Sequence, residues 1–239
     1  MSNSFLAFKF CAVRPHVLKS ITQSTIYFSA PPALNDPTDC QINLTEALGR
    51  AIGSTTGKRH ALLTKVNHHE LTARIERDVP TFGVWSFSID LTNALLWSHY
   101  GDMHRGICLL YEIPYDFVTT NEILGLSPVN YGDNPLTEWL VTDLDDSLSV
   151  ENACIETMKR LLAVKSAAWA YEEEARLLRR WPGVVSVPRE FLAQICFGLR
   201  TSNQDKAAVR HACAEYSHIH LTEMMRDKDS DTRLTLQGP

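Results

Sequence analysis

The sequence lacks the features by which several large classes of protein are recognised. No run of apolar residues approaches the ~20 that a membrane-spanning helix needs. The apolar stretch from Phe5 to Phe8 ends at Lys9 without the cleavage pattern of a secretory signal. None of the six cysteines forms a C-x-x-C pair, which excludes a zinc or redox site of that type. We therefore expect a cytoplasmic protein that has no membrane partner and keeps its cysteines reduced and buried.

Four motifs that mark common enzymes are also missing. The sequence contains no G-x-x-x-x-G-K-[ST] loop, no G-x-G-x-x-G fingerprint, no G-x-S-x-G elbow and no H-E-x-x-H pair. Their absence argues against a P-loop enzyme, a Rossmann dehydrogenase and a standard zinc hydrolase. An excess of positive charge is missing as well, because 23 Lys and Arg face 28 Asp and Glu and the net charge is -5. This balance disfavours a non-specific binder of nucleic acids or membranes.

The residues that are present favour one mixed domain. The 239 residues, 44% of them hydrophobic, can fill a sizeable core. No repeat or linker divides them, so we predict a single α+β domain over residues 1–239, with a mixed or antiparallel sheet and a polar helical insertion at about residues 41–78. Strands are expected near residues 5–10, 25–29, 81–89, 106–113, 128–132, 169–178, 184–187, 219–221 and 234–236, and helices near residues 15–21, 44–52, 61–75, 92–101, 150–164 and 205–216.

The first candidate for chemistry is the sequence Glu172-Glu173-Glu174-Ala175-Arg176. On a strand, Glu172, Glu174 and Arg176 share one face because side chains alternate with a period of two. Neighbouring carboxylates raise each other's pKa and an adjacent Arg opposes that effect, so the trio is suited to acid-base or cation-stabilising work. The alternative interpretation is a solvated acidic stretch of a helix.

The second candidate is Trp97-Ser98-His99-Tyr100. A His-Tyr pair beside a Trp is suited to stacking on a planar ring or to supplying a general base. Packing in the core or in a loop is the alternative.

Two further segments carry polar side chains in suggestive patterns. Asn35-Asp36-Pro37-Thr38-Asp39 is typical of a structural turn, and ligand binding is the alternative. Ser86-Phe87-Ser88 places two hydroxyls on one strand face, where they could bond a ribose or a phosphate.

Several of these segments, taken in order, resemble a mainly bacterial family known as domain of unknown function 2971. The resembling segments are Phe8-Lys9-Phe10, Ile26-Tyr27-Phe28-Ser29, Asn35-Asp36-Pro37 with Asp39, Ser86-Phe87-Ser88, Leu96-Trp97-Ser98-His99-Tyr100 with Gly106, Lys165 with Trp169, and Tyr171-Glu172-x-Glu174-x-Arg176. The resemblance runs from about residue 5 to residue 200. It implies no activity, because the family is named for the lack of one.

The order of a basic residue, Ser-x-Ser and Glu-x-Glu on successive strands is similar to that of the ADP-ribosyltransferases, which break the bond between nicotinamide and ribose in NAD. This similarity implies an ADP-ribosyltransferase-like fold and NAD as substrate, with Glu174 as the catalytic carboxylate and Glu172 orienting the acceptor. Tyr100 or His99 would stack on or bond the nicotinamide. The other side chains that it implies in NAD binding are Lys9, Ser86, Ser88, Asn35, Asp36, Trp97 and Arg176. No metal is implied.

Two alternatives of different classes stay open. One is a metal-dependent nuclease or hydrolase in which Asp36, His99, Glu172 and Glu174 surround a divalent ion, with Asp39 as a further oxygen ligand if the early loop meets the late strand. The other is a non-enzymatic module that binds a nucleotide or a nucleic acid. If the chain is ADP-ribosyltransferase-like, its partner is a nucleotide-type small molecule and the acceptor is a protein or a nucleic acid. A role in bacterial antiphage defence or as a toxin is the expected context.

Overall fold

The computed structural model describes residues 3–120, 122–230 and 233–236. The strands are β1 (Ser4–Cys11), β2 (Thr25–Phe28), β3 (Gly83–Ser88), β4 (Ile107–Pro114), β5 (Ile123–Pro128), β6 (Asn130–Gly132), β7 (Val164–Ser166), β8 (Glu174–Arg179), β9 (Gly183–Ser186), β10 (Leu192–Phe197), β11 (His220–Arg226) and β12 (Leu234–Leu236). The α-helices are α1 (Pro15–Gln23), α2 (Leu44–Gly53), α3 (Gly57–Val66), α4 (His69–Asp78), α5 (Ala94–His99), α6 (Pro135–Thr142), α7 (Val150–Leu161) and α8 (Asn203–Ala212).

An eight-stranded mixed sheet organises the domain, in the order β12-β11-β10-β4-β1-β3-β8-β5. Its pairs are antiparallel except for β10 and β11, which run parallel. The hydrophobic strand β1 lies near the centre and pairs with β4 along its whole length, from Ser4 opposite Pro114 to Cys11 opposite Ile107. The predicted α+β class is confirmed.

The sheet opens between β1 and β3. The two strands share one register pair, Phe8 opposite Ser88, and then diverge. Farther along β3, Val84 exchanges two backbone hydrogen bonds of 2.8 Å with Ser29, the residue that follows β2. In the opening, the Lys9 ammonium donates a hydrogen bond of 2.7 Å to the Ser86 carbonyl oxygen. This contact satisfies a carbonyl that the diverging strand leaves unpaired.

The two sheet faces are covered differently. On one face, α1 and α8 pack over a continuous core that includes Ala7, Trp85, Leu109, Leu177 and Ile195. The other face carries two separate clusters. The helices α2, α3, α4, α6 and α7 cover Val84 and Leu178, while α5 covers Phe8, Phe10, Cys108 and Cys196. The space between these two clusters lies over the opening of the sheet.

The segment predicted as a strand at residues 169–178 is the main correction to the predicted elements. Residues Ala167–Glu172 form a 3₁₀ helix, and β8 begins only at Glu174. Ser166 starts the helix because its side chain accepts a hydrogen bond from the Ala168 backbone N–H. Glu173 has a φ of 44°, a left-handed conformation that interrupts the strand alternation. Glu172 therefore does not share a strand face with Glu174.

Other differences from the prediction are smaller. The insertion contains three helices rather than two, because the expected helix at residues 61–75 is divided at Asn67, and α3 begins earlier, at Gly57. The helix expected at residues 205–216 ends at Ala212. The elements β5, α6, β7 and β10 were not predicted. The cysteines are free, and all but Cys11 are buried, as expected.

Candidate functional site

A cleft with a volume of about 200 Å³ lies over the opening between β1 and β3. Strand β3 contributes hydroxyls from its Ser-x-Ser segment, β1 contributes aromatic rings and an ammonium group, and the start of β8 contributes a carboxylate. The lining residues are Phe8, Lys9, Phe10, Tyr27, Ser29, Ala33, Leu34, Asn35, Asp39, Val84, Ser86, Phe87, Ser88, Leu96, Tyr100, Lys165, Glu172 and Glu174. The cleft therefore combines apolar walls with a charged floor.

Lys165 joins the two carboxylates in this floor. Its ammonium nitrogen lies 2.6 Å from Oε2 of Glu172 and 3.1 Å from Oε2 of Glu174. It also lies 3.6 Å from Oδ2 of Asp39. All four side chains are buried. Lys165 comes from β7, which positions its ammonium between carboxylates that the left-handed residue Glu173 directs to the same point.

Arg176 lies behind the cleft and completes the charged cluster. Its side chain is fully buried, and Nε donates to Oε1 of Glu174 at 2.7 Å. The two terminal nitrogens contact the two Asp39 oxygens at 2.9 and 2.5 Å, which is a bidentate arrangement. One of them also donates to the Leu162 carbonyl at 2.8 Å. Arg176 thereby connects β8 to the loop that precedes the helical insertion.

The two carboxylates of the floor have opposite pKa shifts. Burial raises the pKa of Glu172, although hydrogen bonds from Lys165 and Tyr100 oppose that effect. Burial acts in the same direction on Glu174, but the Arg176 guanidinium outweighs it, with help from Lys165, and lowers the pKa of Glu174 to about 2. The carboxylates raise the pKa of Lys165 against the effect of its burial. One member of the pair is thus held ionised, and the other binds a proton more readily.

Tyr100 connects the charged floor to the rim of the cleft. Its hydroxyl donates to Oε1 of Glu172 at 2.5 Å and accepts from the Asn35 side-chain nitrogen at 2.9 Å. Burial and the Glu172 carboxylate raise the pKa of Tyr100 above its usual value, so the phenol stays a donor. On β6, the Tyr131 hydroxyl accepts a hydrogen bond of 2.9 Å from the Glu174 backbone N–H.

Lys9 supplies a second ammonium group to the cleft lining. Burial lowers its pKa, with the nearby Glu174 carboxylate acting in the opposite direction. One of its three N–H donors goes to the Ser86 carbonyl. An anionic group that entered the cleft would find this ammonium beside the Ser86 and Ser88 residues.

The structure brings together most of the residues predicted to form a site. Lys9, Asn35, Ser86, Ser88, Tyr100, Glu172 and Glu174 line the cleft, and Arg176 contacts it through Glu174. Trp97 instead lies in the core, where its indole N–H donates to the Leu91 carbonyl. His99 is exposed outside the cleft lining. Asp36 forms the predicted structural turn, in which its carboxylate accepts from the Thr38 backbone and hydroxyl.

Sequence reasoning did not assign Lys165 and Tyr131 to the predicted site, and it gave Asp39 only as a ligand of the metal alternative. Lys165 was noted as one of the residues that carry the family resemblance. It lies seven positions before Glu172, outside the acidic segment, so its contact with the carboxylates was not predicted. The Tyr131 hydroxyl contacts a backbone group 43 positions away, and no local pattern signals such a contact. Asp39 was quoted with the turn, but its pairing with Arg176 spans 137 positions.

Three carboxylates of the predicted metal site, Asp39, Glu172 and Glu174, do converge, but they surround the Lys165 ammonium. Asp36 and His99 lie outside the cleft lining, and the oxygens of Glu172 and Glu174 accept hydrogen bonds from Lys165, Arg176 and Tyr100. Across residues 3–120, 122–230 and 233–236, no group of three or more His, Cys, Asp and Glu side chains has a geometry that could hold a metal ion.

Comparison with known proteins gives a family resemblance without an activity. The fold and the cleft define a single α+β domain with a buried ionic cluster under a concave site. A family model described as a protein of unknown function, DUF2971, matches residues 96–177. This confirms the predicted resemblance for the Trp97–Tyr100 segment, Lys165 and the Glu-x-Glu segment. The motifs of β1, the Asn35 loop and β3 lie outside the matched region.

No curated protein and no solved structure matches the chain. Among the helices in the described residues, none has the length and apolar character needed to cross a membrane.

The low pKa of Glu174 predicts acid sensitivity. Its ordinary value of 4.5 falls to about 2 in the folded protein, so its ionised form stabilises the fold above pH 4.5. That contribution disappears as the pH falls towards 2. The shift corresponds to about 2 kcal/mol of unfolding free energy lost between pH 5 and pH 3. Urea denaturation at each pH should show this loss in the native chain and a shallower loss in Glu174→Gln.

The exposed neighbour provides the control, because Glu173→Gln should keep the pH dependence of the native chain. Carbon-13 NMR of the Glu174 carboxyl group checks the cause directly, since its signal should remain that of a carboxylate at pH 3. A midpoint near 4.5 would contradict the prediction.

Proposed function

We propose that this protein is an ADP-ribosyltransferase-like enzyme that uses NAD and breaks the bond between nicotinamide and ribose. The observation that supports it best is the pair Glu172 and Glu174, which lie in one cleft with opposite pKa shifts. Two carboxylates with different protonation behaviour can divide the work of glycosyl transfer between them.

The ionised carboxylate is suited to the bond-breaking step. Departure of nicotinamide leaves positive charge on the ribose, and a fixed anion beside that charge lowers the barrier. Arg176 and Lys165 keep Glu174 ionised and hold it in place. A hydrogen bond involving the Ser86 side chain also lowers the pKa of Glu174, but by less than the two cations do. A ribose hydroxyl would replace Ser86 at the carboxylate when the substrate binds.

The second carboxylate is suited to proton transfer. Glu172 has a raised pKa and accepts one hydrogen bond on each oxygen, from Tyr100 and from Lys165. A carboxylate offers about four acceptor sites, so Glu172 keeps room for the acceptor hydroxyl that it would deprotonate. Lys9, which also lines the cleft, would contact a phosphate of the nucleotide.

The acceptor and the cellular role belong to the same proposal. The motif order gives a protein or a nucleic acid as acceptor, and a cytoplasmic defence or toxin component as context. These assignments are supported only by the resemblance in motif order.

A nucleotide-binding module without turnover is the second candidate. The observation that favours it is the internal pairing of the charged cluster. Each oxygen of Glu172 and Glu174 already accepts a hydrogen bond from another side chain. A cluster of this kind can serve to fix the walls of a binding cleft. The two candidates differ in one observable, the release of nicotinamide.

Incubation of the purified chain with millimolar NAD tests the proposal. We expect slow nicotinamide release, detected by chromatography, with a rate that rises with pH as Glu172 loses its proton. Glu172→Gln should lower the rate and remove this pH dependence, because an amide cannot act as the base. NAD binding without release of nicotinamide would favour the binding module. The absence of both binding and release would contradict the two candidates together.

A further inference from the structure

Three aromatic rings adjoin residues that line the cleft, although none of the three is itself in the lining. The ring centroids of Trp169 and Tyr171 are 6.0 Å apart, and those of Tyr171 and His99 are also 6.0 Å apart. His99 is exposed, and the other two side chains are half-buried. We call these three residues the rim rings.

The rim rings are attached directly to the charged floor. Tyr171 immediately precedes Glu172 in the chain, and His99 immediately precedes Tyr100. The ring of Trp169 lies over the Lys165 ammonium, with 4.9 Å between the nitrogen and the ring centroid. A molecule that extends out of the cleft past Lys165 therefore meets an aromatic surface.

Two of the rim residues, Trp169 and Tyr171, have contacts that hold them in place before any ligand binds. The Lys165 ammonium under Trp169 is fixed by Glu172 and Glu174. The Trp169 side chain also forms a hydrogen bond with Asp36. This bond lowers the pKa of Asp36, although the hydrogen bonds from Thr38 lower it more. The Tyr171 carbonyl accepts a hydrogen bond of 2.5 Å from the Asn93 side chain. Rings that are already ordered lose little conformational entropy when a flat ligand stacks on them.

The size of the cleft indicates what extends out of it. A pocket that encloses a whole small ligand measures roughly 300–1,000 Å³, whereas this cleft measures about 200 Å³. It can enclose the nicotinamide and its ribose but not a complete dinucleotide. The other half of NAD would have to lie outside, next to the rim.

We propose that the rim rings form a binding site for the purine ring of the nucleotide, with Trp169 as its main stacking surface. This inference rests on the proposed function for the orientation of NAD. The binding of an isolated purine nucleotide does not depend on that function. Stacking of a base on an aromatic side chain typically changes Kd by roughly 5- to 150-fold.

Calorimetric titration of the full chain with AMP, nicotinamide mononucleotide and NAD tests the site. We expect Trp169→Ala to weaken the binding of AMP and NAD by roughly 5- to 150-fold and to leave that of nicotinamide mononucleotide unchanged. Trp169→Phe should restore most of the affinity, since it keeps an aromatic face. The matched control is Trp181→Ala, which removes an exposed tryptophan that does not line the cleft and should change none of the three affinities.

Two results would overturn the inference. One is AMP binding that is absent in the native chain at millimolar concentration or unchanged in Trp169→Ala. The other is an equal loss of nicotinamide mononucleotide binding, which would place the effect in the cleft itself. Failure of the proposed function gives a different pattern. The native chain would then release no nicotinamide, while AMP binding that depends on Trp169 would still support the purine site.

Discussion

Glu174→Gln should reduce nicotinamide release from NAD by about 10²–10³-fold, because removing one preorganised electrostatic group from the transition state typically has that effect. The amide has no charge with which to stabilise the positive ribose. It also places an N–H donor among the donors of Arg176 and Lys165, which lie 2.7 and 3.1 Å from the present carboxylate. Steady-state assays over a range of NAD concentrations measure the change, and we expect it mainly in kcat.

The control for this prediction is the adjacent Glu173→Gln, which changes the net charge equally at an exposed position and should retain the native rate. Circular dichroism and thermal melting establish whether the Glu174→Gln chain is folded, and rates are then compared per folded molecule. Glu174→Asp gives a second measure, since it keeps the charge but moves it away from the ribose. A folded Glu174→Gln chain with the native rate would contradict the role of Glu174.

Arg176→Met should lower the free energy of unfolding by about 3–5 kcal/mol, the typical cost of breaking a buried ion pair from one side. The guanidinium is completely buried and contacts both Asp39 and Glu174. Its removal leaves two largely buried carboxylates that keep their contact with Lys165 but lose all the hydrogen bonds from the guanidinium. Since domains of this kind are stable by only about 5–15 kcal/mol, the loss is a large part of the total.

Urea denaturation measures this effect, and Arg180→Met is its control because Arg180 is exposed and lies just after the end of β8. We expect the control to change the unfolding free energy by less than about 0.5 kcal/mol. Arg176→Lys should lie between them, since a lysine keeps the charge but cannot bond Asp39 through two nitrogens. Equal stabilities of Arg176→Met and Arg180→Met would show that the cluster does not stabilise the fold.

These two predictions separate stability from function within one cluster. Arg176 acts on the fold from behind the cleft, whereas Glu174 faces both the cluster and the cleft. Lys165 belongs to both the cluster and the cleft, because it contacts three carboxylates and also lines the cleft.

Much of the fold could be predicted from the sequence because local patterns carry it. Aromatic and β-branched runs predicted β1, β2, β3 and β4, whose residues alternate between sheet faces or lie buried on both. Helical spacing predicted α1, α2 and α7. The motif glycine Gly106 has a tertiary reason instead, since a β-carbon there would collide with the Cys11 carbonyl of β1.

The candidate site could be predicted only in part. Glu172, Glu174, Ser86 and Tyr100 were found because their residue types and spacing are unusual. The reason given for joining Glu172 to Glu174 was wrong, since Glu172 ends a 3₁₀ helix and does not lie on β8. The two carboxylates converge because Glu173 adopts a left-handed conformation and Lys165 lies between them.

The sequence by itself determined the α+β class, the succession of most strands and helices, and many of the polar residues that the cleft contains. Only the tertiary structure decided that Asp39 contacts Arg176, that Lys165 joins the carboxylates, that Trp97 lies in the core and that the sheet opens beside Lys9. The physical reason is the range of the interactions. Backbone propensity and hydrophobic periodicity act over a few residues, whereas buried ion pairs join groups up to 137 positions apart and form only when the whole domain packs.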